Sequence, residues 1–132
     1  MHVRLRIGGE DYALPVECVR SVEPAEHVTP VLGAPPAVLG VRSLHGQLLP
    51  VLDLAALLGV ERRTPRRILV LSHDERSVGF AVEDVLDVAA LPQGDEEPAS
   101  PHLSATVLVD GTLIGVIDVE AVLATLEGEL VA

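Results

Sequence analysis

The chain has 132 residues, the length of one ordinary domain, and 48% of them are hydrophobic, so it can bury a core. With one Phe, one Tyr and no Trp, that core is built from Val, Leu, Ile and Ala, and base recognition by aromatic stacking is excluded. The net charge is −11 and every basic residue is an arginine, a balance that repels nucleic acid and anionic membrane. The acidity is uneven. Up to His73 seven acids face eight arginines, whereas from Asp74 onward thirteen acids face Arg76 alone.

In chain order, Val3, Leu5 and Ile7 alternate with Arg4 and Arg6, which predicts a half-buried strand ending at the Gly8-Gly9 turn. Tyr12 to Leu14 should pair back on it, and Val16, Val19 and Val22 follow with spacing that mixes a turn and a strand. The proline-rich stretch EPAEHVTPVLGAPPAVLG reads as loop or edge. VLGVRSL and QLLPVLD flank His45-Gly46, a hairpin signal. ERRTPRR (61–67) is the one basic segment, a solvated linker that can pair with the acidic half or, as an alternative, a phosphate-binding patch made by Arg62, Arg63, Arg66 and Arg67.

RILVLS and SVGFAVE flank HDER as another hairpin, DVLDVAAL adds a strand, and LPQGDEEPASPH is a polar loop. LSATVLVD and TLIGVID flank Asp110-Gly111, the strongest hairpin signal in the chain. Only DVEAVLATLEGEL is long enough for a full helix, with Val119, Val122, Leu123 and Leu126 on one face. Many short strands with frequent turns predict an all-β sandwich or small barrels rather than βαβ units.

Cys18 is alone in an apolar alternation, which rules out an intrachain disulfide framework and predicts a small buried hydrophobe. No apolar run approaches the roughly 20 residues of a membrane span, and MHVRLRIGGE lacks the apolar stretch of a signal peptide. A soluble cytoplasmic protein without direct membrane insertion is expected.

LHGQLLPVLDLAALL (44–58) aligns without gaps to VDGTLIGVIDVEAVL (109–123), matching Gly46 with Gly111, Leu48 with Leu113, Val51 with Val116 and Asp53 with Asp118. PVECVRSV (15–22) aligns to AVEDVLDV (81–88) at nearly the same offset. Two matches at one shift predict a single domain over 1–132 made of two homologous β units, about 1–62 and 63–132, too small to stand alone and so sharing a core.

Asp53 and Asp118 each end an apolar strand before a short apolar run, the place of a helix N-cap whose carboxylate accepts from first-turn N–H groups. A pair of carboxylates meeting across a pseudo-twofold axis, in an enzyme or ligand-binding barrel, is the other reading. The five histidines show no metal-ligand spacing, no glycine pattern cradles phosphate, Lys is absent, and no serine lies in a nucleophile motif. No catalytic residue, metal or cofactor is expected.

The motif order resembles the CheW-like domain of bacterial chemosensory systems. The resemblance runs from LRIGGEDYALPVECVRSV through VTPVLGAPPAVLGVRSLHGQLLPVLDLAALLG and RILVLSHDERSVGFAVEDVLDVAAL to LIGVIDVEAVL. It implies two five-stranded SH3-like barrels sharing a hydrophobic core, with a short C-terminal helix. It implies no enzymatic activity but a scaffold joining the regulatory domain of a CheA-type histidine kinase to the cytoplasmic tip of chemoreceptors, with other CheW-like domains as further partners. Val19, Gly40, Gly79 and Val88 match the family's receptor-groove positions, and Gly40→Asp is expected to abolish receptor capture while sparing the fold. Relatives usually carry an Arg at the place of His45 and an acid at that of Ser21, a pair able to meet beside the groove. Both are changed here, which implies an altered or lost receptor contact, or a different partner in a specialised chemosensory pathway.

Overall fold

The computed structural model describes residues 1–94, 97–98 and 100–131, the side chains of 129–131 excepted. Of the polar loop 91–102, Asp95, Glu96 and Ala99 lie outside the described residues. The elements follow the sequence closely. β1 (His2–Ile7) and β2 (Glu10–Pro15) form a hairpin, a 3-10 turn (Val16–Cys18) leads into β3 (Val19–Pro24), and β4 (Val38–Leu44) and β5 (Gln47–Asp53) precede the single turn of α1 (Leu54–Leu58). The second half repeats this order as β6 (Arg67–His73), β7 (Arg76–Val82), β8 (Asp84–Ala89), β9 (Leu103–Val109), β10 (Thr112–Ile117) and α2 (Val119–Val131).

Four hairpins close on two-residue turns in which both residues have positive φ: Gly8-Gly9, His45-Gly46, Asp74-Glu75 and Asp110-Gly111. Such turns match the twist of the flanking strands, and Asn, Asp and Gly reach them most readily. The HDER loop expected from sequence therefore shrinks to its two central residues, because His73 and Arg76 pair as strand.

The strands form two five-stranded sheets, β8-β1-β2-β10-β9 and β3-β6-β7-β5-β4, each an SH3-like barrel. Neither sheet coincides with one half of the sequence. The first takes its hairpin β1–β2 from the N-terminal half and three strands from the C-terminal half, and the second does the reverse with β6–β7. Parallel pairings of β10 with β2 and of β5 with β7 hold each foreign hairpin in place.

Strand alternation decides what each face buries. On β6, Leu69 and Leu71 point into the main core while Ile68 and Val70 point into a smaller cluster inside the second barrel. The main core joins both barrels and α2: Leu5 and Leu14 meet Leu52, Leu69 and Phe80 under Val122 and Leu126. Val119, Val122, Leu123 and Leu126, the apolar face read from the sequence, are all buried. An ion pair from Arg76 on β7 to Glu127 holds the far end of α2 down.

Candidate protein-interaction surface

Ser21, Val70, Gly79, Val51 and Gly40 occupy one continuous row across β3, β6, β7, β5 and β4. Three of the positions singled out from sequence thus share a line across the second sheet. Gly40 and Gly79 lie within the barrel and not on its surface. A Cβ on Gly79 would sit 2.8 Å from Ile68 Cγ2 and 3.2 Å from Leu49 Cδ2. At Gly40, φ is 157° beside a bulge in the β4–β5 pairing, and a Cβ would fall 2.1 Å from the Thr29 carbonyl oxygen. No side chain fits there, so the expectation that Gly40→Asp spares the fold is corrected: the glycine is needed for the backbone approach of 29 to 40.

Val19 and Val88 are placed differently. Val19 is half-buried against the main core, whereas Val88 is 53% exposed on β8. β8 and β3 are outer strands of their sheets, with one side of each backbone unpaired within the sheet. Val22, the repeat counterpart of Val88, is 43% exposed on β3. Each barrel therefore carries an exposed valine on an outer strand, a surface suited to a protein partner. Acids guard β8: Asp87 pairs with Arg4 at 3.5 Å and Asp84 with Arg66 at 4.0 Å. A further apolar cleft of about 380 Å³ lies between the proline loop and α2, lined by Val31, Leu32, Pro35, Val41, Pro50 and Leu126. No signal short of the folded chain joins those segments.

Ser21 is half-buried on β3, and His45 is exposed at the β4–β5 turn with φ 50°. No hydrogen bond or ion pair joins them among the described residues. Three residues back along β4, however, Arg42 donates to the Pro24 carbonyl at 2.6 Å, three residues along β3, and approaches Glu23, two along it, at 3.9 Å. A cross-seam Arg–acid contact exists here, displaced from the positions that the sequence resemblance indicated.

The two aspartates act locally. Asp53 Oδ1 accepts from the Ala55 N–H at 3.1 Å and Asp118 Oδ1 from the Ala121 N–H at 3.0 Å, the first-turn geometry of an N-cap. Asp53 opens on a cleft with Gly8, Arg63 and Glu83, and Asp118 on another with Cys18, His73 and Glu120. The carboxylates do not share a site, so the paired-acid reading loses its geometry. The basic segment is largely neutralised: Arg62 meets Asp53 at 2.9 Å, Arg63 meets Glu61 at 3.1 Å and Glu83 at 3.5 Å, and Arg66 meets Asp84. Cys18 is half-buried, and burial, with Glu17 second, pushes its thiol pKa up and away from nucleophilic use. Among the described residues no cluster of His, Cys, Asp and Glu could hold a metal, and no helix is long and apolar enough to cross a membrane.

Residues 2–127 match the model of the CheW-like domain. The chain belongs to the CheW-like domain family. It is 26% identical to the chemotaxis protein CheW of Rhizobium meliloti, over 96% of this chain and 89% of that one. It is 29% identical to the chemotaxis protein CheW of Bacillus subtilis, over 89% and 82%. In fold it resembles the crystal structure of the scaffolding protein TtCheW from Thermoanaerobacter tengcongensis, with a TM-score of 0.80 at 23% identity, covering 89% of this chain and 83% of that one. Membership of the family supports the coarse reading of a chemotaxis-type scaffold built as a CheW-like domain.

Proposed function

We propose that this chain is a non-enzymatic cytoplasmic adaptor that couples a CheA-type histidine kinase, through its regulatory domain, to the cytoplasmic tip of a chemoreceptor. The observation that carries the reading is the family match over 2–127 in a chain whose outer strands β3 and β8 expose Val22 and Val88. The partner surface consists of Val19 and Ser21 with Val88 and the His45 turn, while Gly40 and Gly79 serve it from behind by letting the second barrel close. Ser21 and His45, standing where relatives usually carry an acid and an arginine, favour a second reading, in which the receptor position is taken by another protein of a specialised chemosensory pathway.

Capture assays with an isolated kinase regulatory domain and a receptor-tip fragment test both readings. The adaptor binds the two; a protein that binds the kinase domain alone follows the second reading; binding to neither overturns both.

A further inference from the structure

Every pairing that joins one hairpin to another links a strand before the segment 59–66 to a strand after it. Among the described strands, only β1–β2 and β4–β5 pair within the first half, with a single Thr29–Val41 bridge beside β4, and only β6–β7 and β9–β10 pair within the second. β3 finds its partner in β6, β8 in β1, β2 in β10 and β5 in β7. Either half alone therefore holds nothing wider than a two-stranded hairpin, a form of marginal stability in water. Each half supplies what the other lacks, in both barrels at once. None of these four pairings depends on the two halves being joined by 59–66.

What favours the single chain is that segment. It is held along the body by Arg62 on Asp53 at 2.9 Å and on the Pro36 carbonyl at 2.9 Å, and by Arg63 on Glu83 at 3.5 Å. A tether of this kind sets the effective concentration of one half at the other, and that concentration vanishes when the tether cannot span the gap.

We propose that the complementary half of a second copy of this chain is a specific partner for each half: the native chain satisfies both halves within itself, and when the 59–66 segment is shortened, or the chain refolds at high concentration, two copies form a twofold dimer by exchanging 1–58 against 67–131. The dimer interface is the monomer's own core, including Leu5, Leu14, Leu52, Leu69 and Phe80. Exchange consequently requires unfolding, and the two forms do not interconvert on mixing native protein.

The test uses the whole chain in a Cys18→Ser background with two reporter disulfides. Arg4→Cys with Asp87→Cys spans β1–β8, where the native side chains already touch at 3.5 Å, and Pro24→Cys with Arg67→Cys spans β3–β6. At full length the protein is a monomer and both disulfides close within the chain. Deleting Arg62 to Pro65 doubles the mass in light scattering, and both disulfides then link two chains, giving a doubled band that reduction returns to single size. Should the deletion variant fail to fold, full-length protein refolded from denaturant gives the same doubled band, in a share that rises with protein concentration. A folded deletion variant that stays monomeric overturns the proposal, as does a dimer whose disulfides close within each chain. A dimer cross-linked at 4 and 87 but not at 24 and 67 also overturns it, since only the first hairpin has then changed hands. Where the deletion variant does not fold, refolded full-length protein that remains single-sized at every concentration overturns it too.

Discussion

The Arg42 guanidinium on β4 donates to the Pro24 carbonyl on β3 at 2.6 Å, joining the two outer strands of one sheet and closing the second barrel along its seam. Glu23 lies 3.9 Å from the same guanidinium, too long for a strong bond, so the carbonyl carries the closure. Arg42→Met is expected to cost about 1–2 kcal/mol of stability, from a lost charge-assisted bond and a strained seam. Glu23→Gln is expected to cost under about 1 kcal/mol, in the range of a partly exposed pair. Urea titration of both variants checks this. Equal losses would mean that the ion pair, and not the carbonyl bond, closes the barrel.

Gly40 and Val88 separate fold from recognition. Gly40→Ala places a Cβ against the Thr29 carbonyl in a backbone region that L-residues avoid, and it is expected to lower the melting temperature markedly. Val88→Lys adds charge to an exposed position and is expected to leave melting within a few degrees while reducing capture by the partner at least tenfold. A Val88→Lys protein that binds normally would remove β8 from the contact surface.

The caps of the two halves are expected to behave alike. Asp53→Ala and Asp118→Ala each remove an acceptor from a helix first turn, at a cost of about 1 kcal/mol. Asp53→Asn keeps the cap but loses the charge that holds Arg62, so its loss should be smaller than that of Asp53→Ala. Thermal denaturation of the three variants orders them, and an Asn variant as damaging as the Ala variant would assign the weight to the ion pair.

The strands and hairpins were legible because alternation and turn residues are local signals: Val3, Leu5 and Ile7 alternate, and Asp110-Gly111 sits between two apolar runs. Which hairpin joins which sheet was not. Two repeats of one pattern pair equally well with themselves or with each other, and only the assembled core, where Leu14 meets Phe80, chooses exchange. Gly40 and Gly79 stood out in the sequence through resemblance, yet a glycine carries no hydrophobic signature, so nothing local told a buried approach from a surface groove. The Arg42–Pro24 closure was invisible for a related reason. The two residues lie on opposite outer strands of one sheet, and only curvature brings them together.

Alkaline pH should weaken the fold from within. The Cys18 thiol is raised above its ordinary 9.0, chiefly by burial with Glu17 adding to it, and the Tyr12 phenol above 10.0 by burial and then Glu10. In each case the native state holds its proton more tightly than the unfolded chain does. The stabilisation is therefore complete below the unfolded value and is lost as pH rises through the folded one. Melting temperature is expected to fall from about pH 9 upward, and Cys18→Ser should flatten the first part of that fall. An unchanged slope in Cys18→Ser would clear the thiol of any part in it.

The crossed hairpins also impose a schedule on synthesis. The second barrel is drawn from consecutive strands between Val19 and Val82, so it can close as soon as that stretch has left the ribosome. β1 and β2 precede it in the chain but have no strand partners beyond each other until β8 to β10 emerge, ending at Ile117. At about 5–20 residues per second this leaves the outer edges of β1 and β2 without strand partners for roughly 2–7 s after the second barrel is complete. The first hairpin of the domain is thus the last to gain its strand partners, and a holdase acting on nascent chains would find its target there.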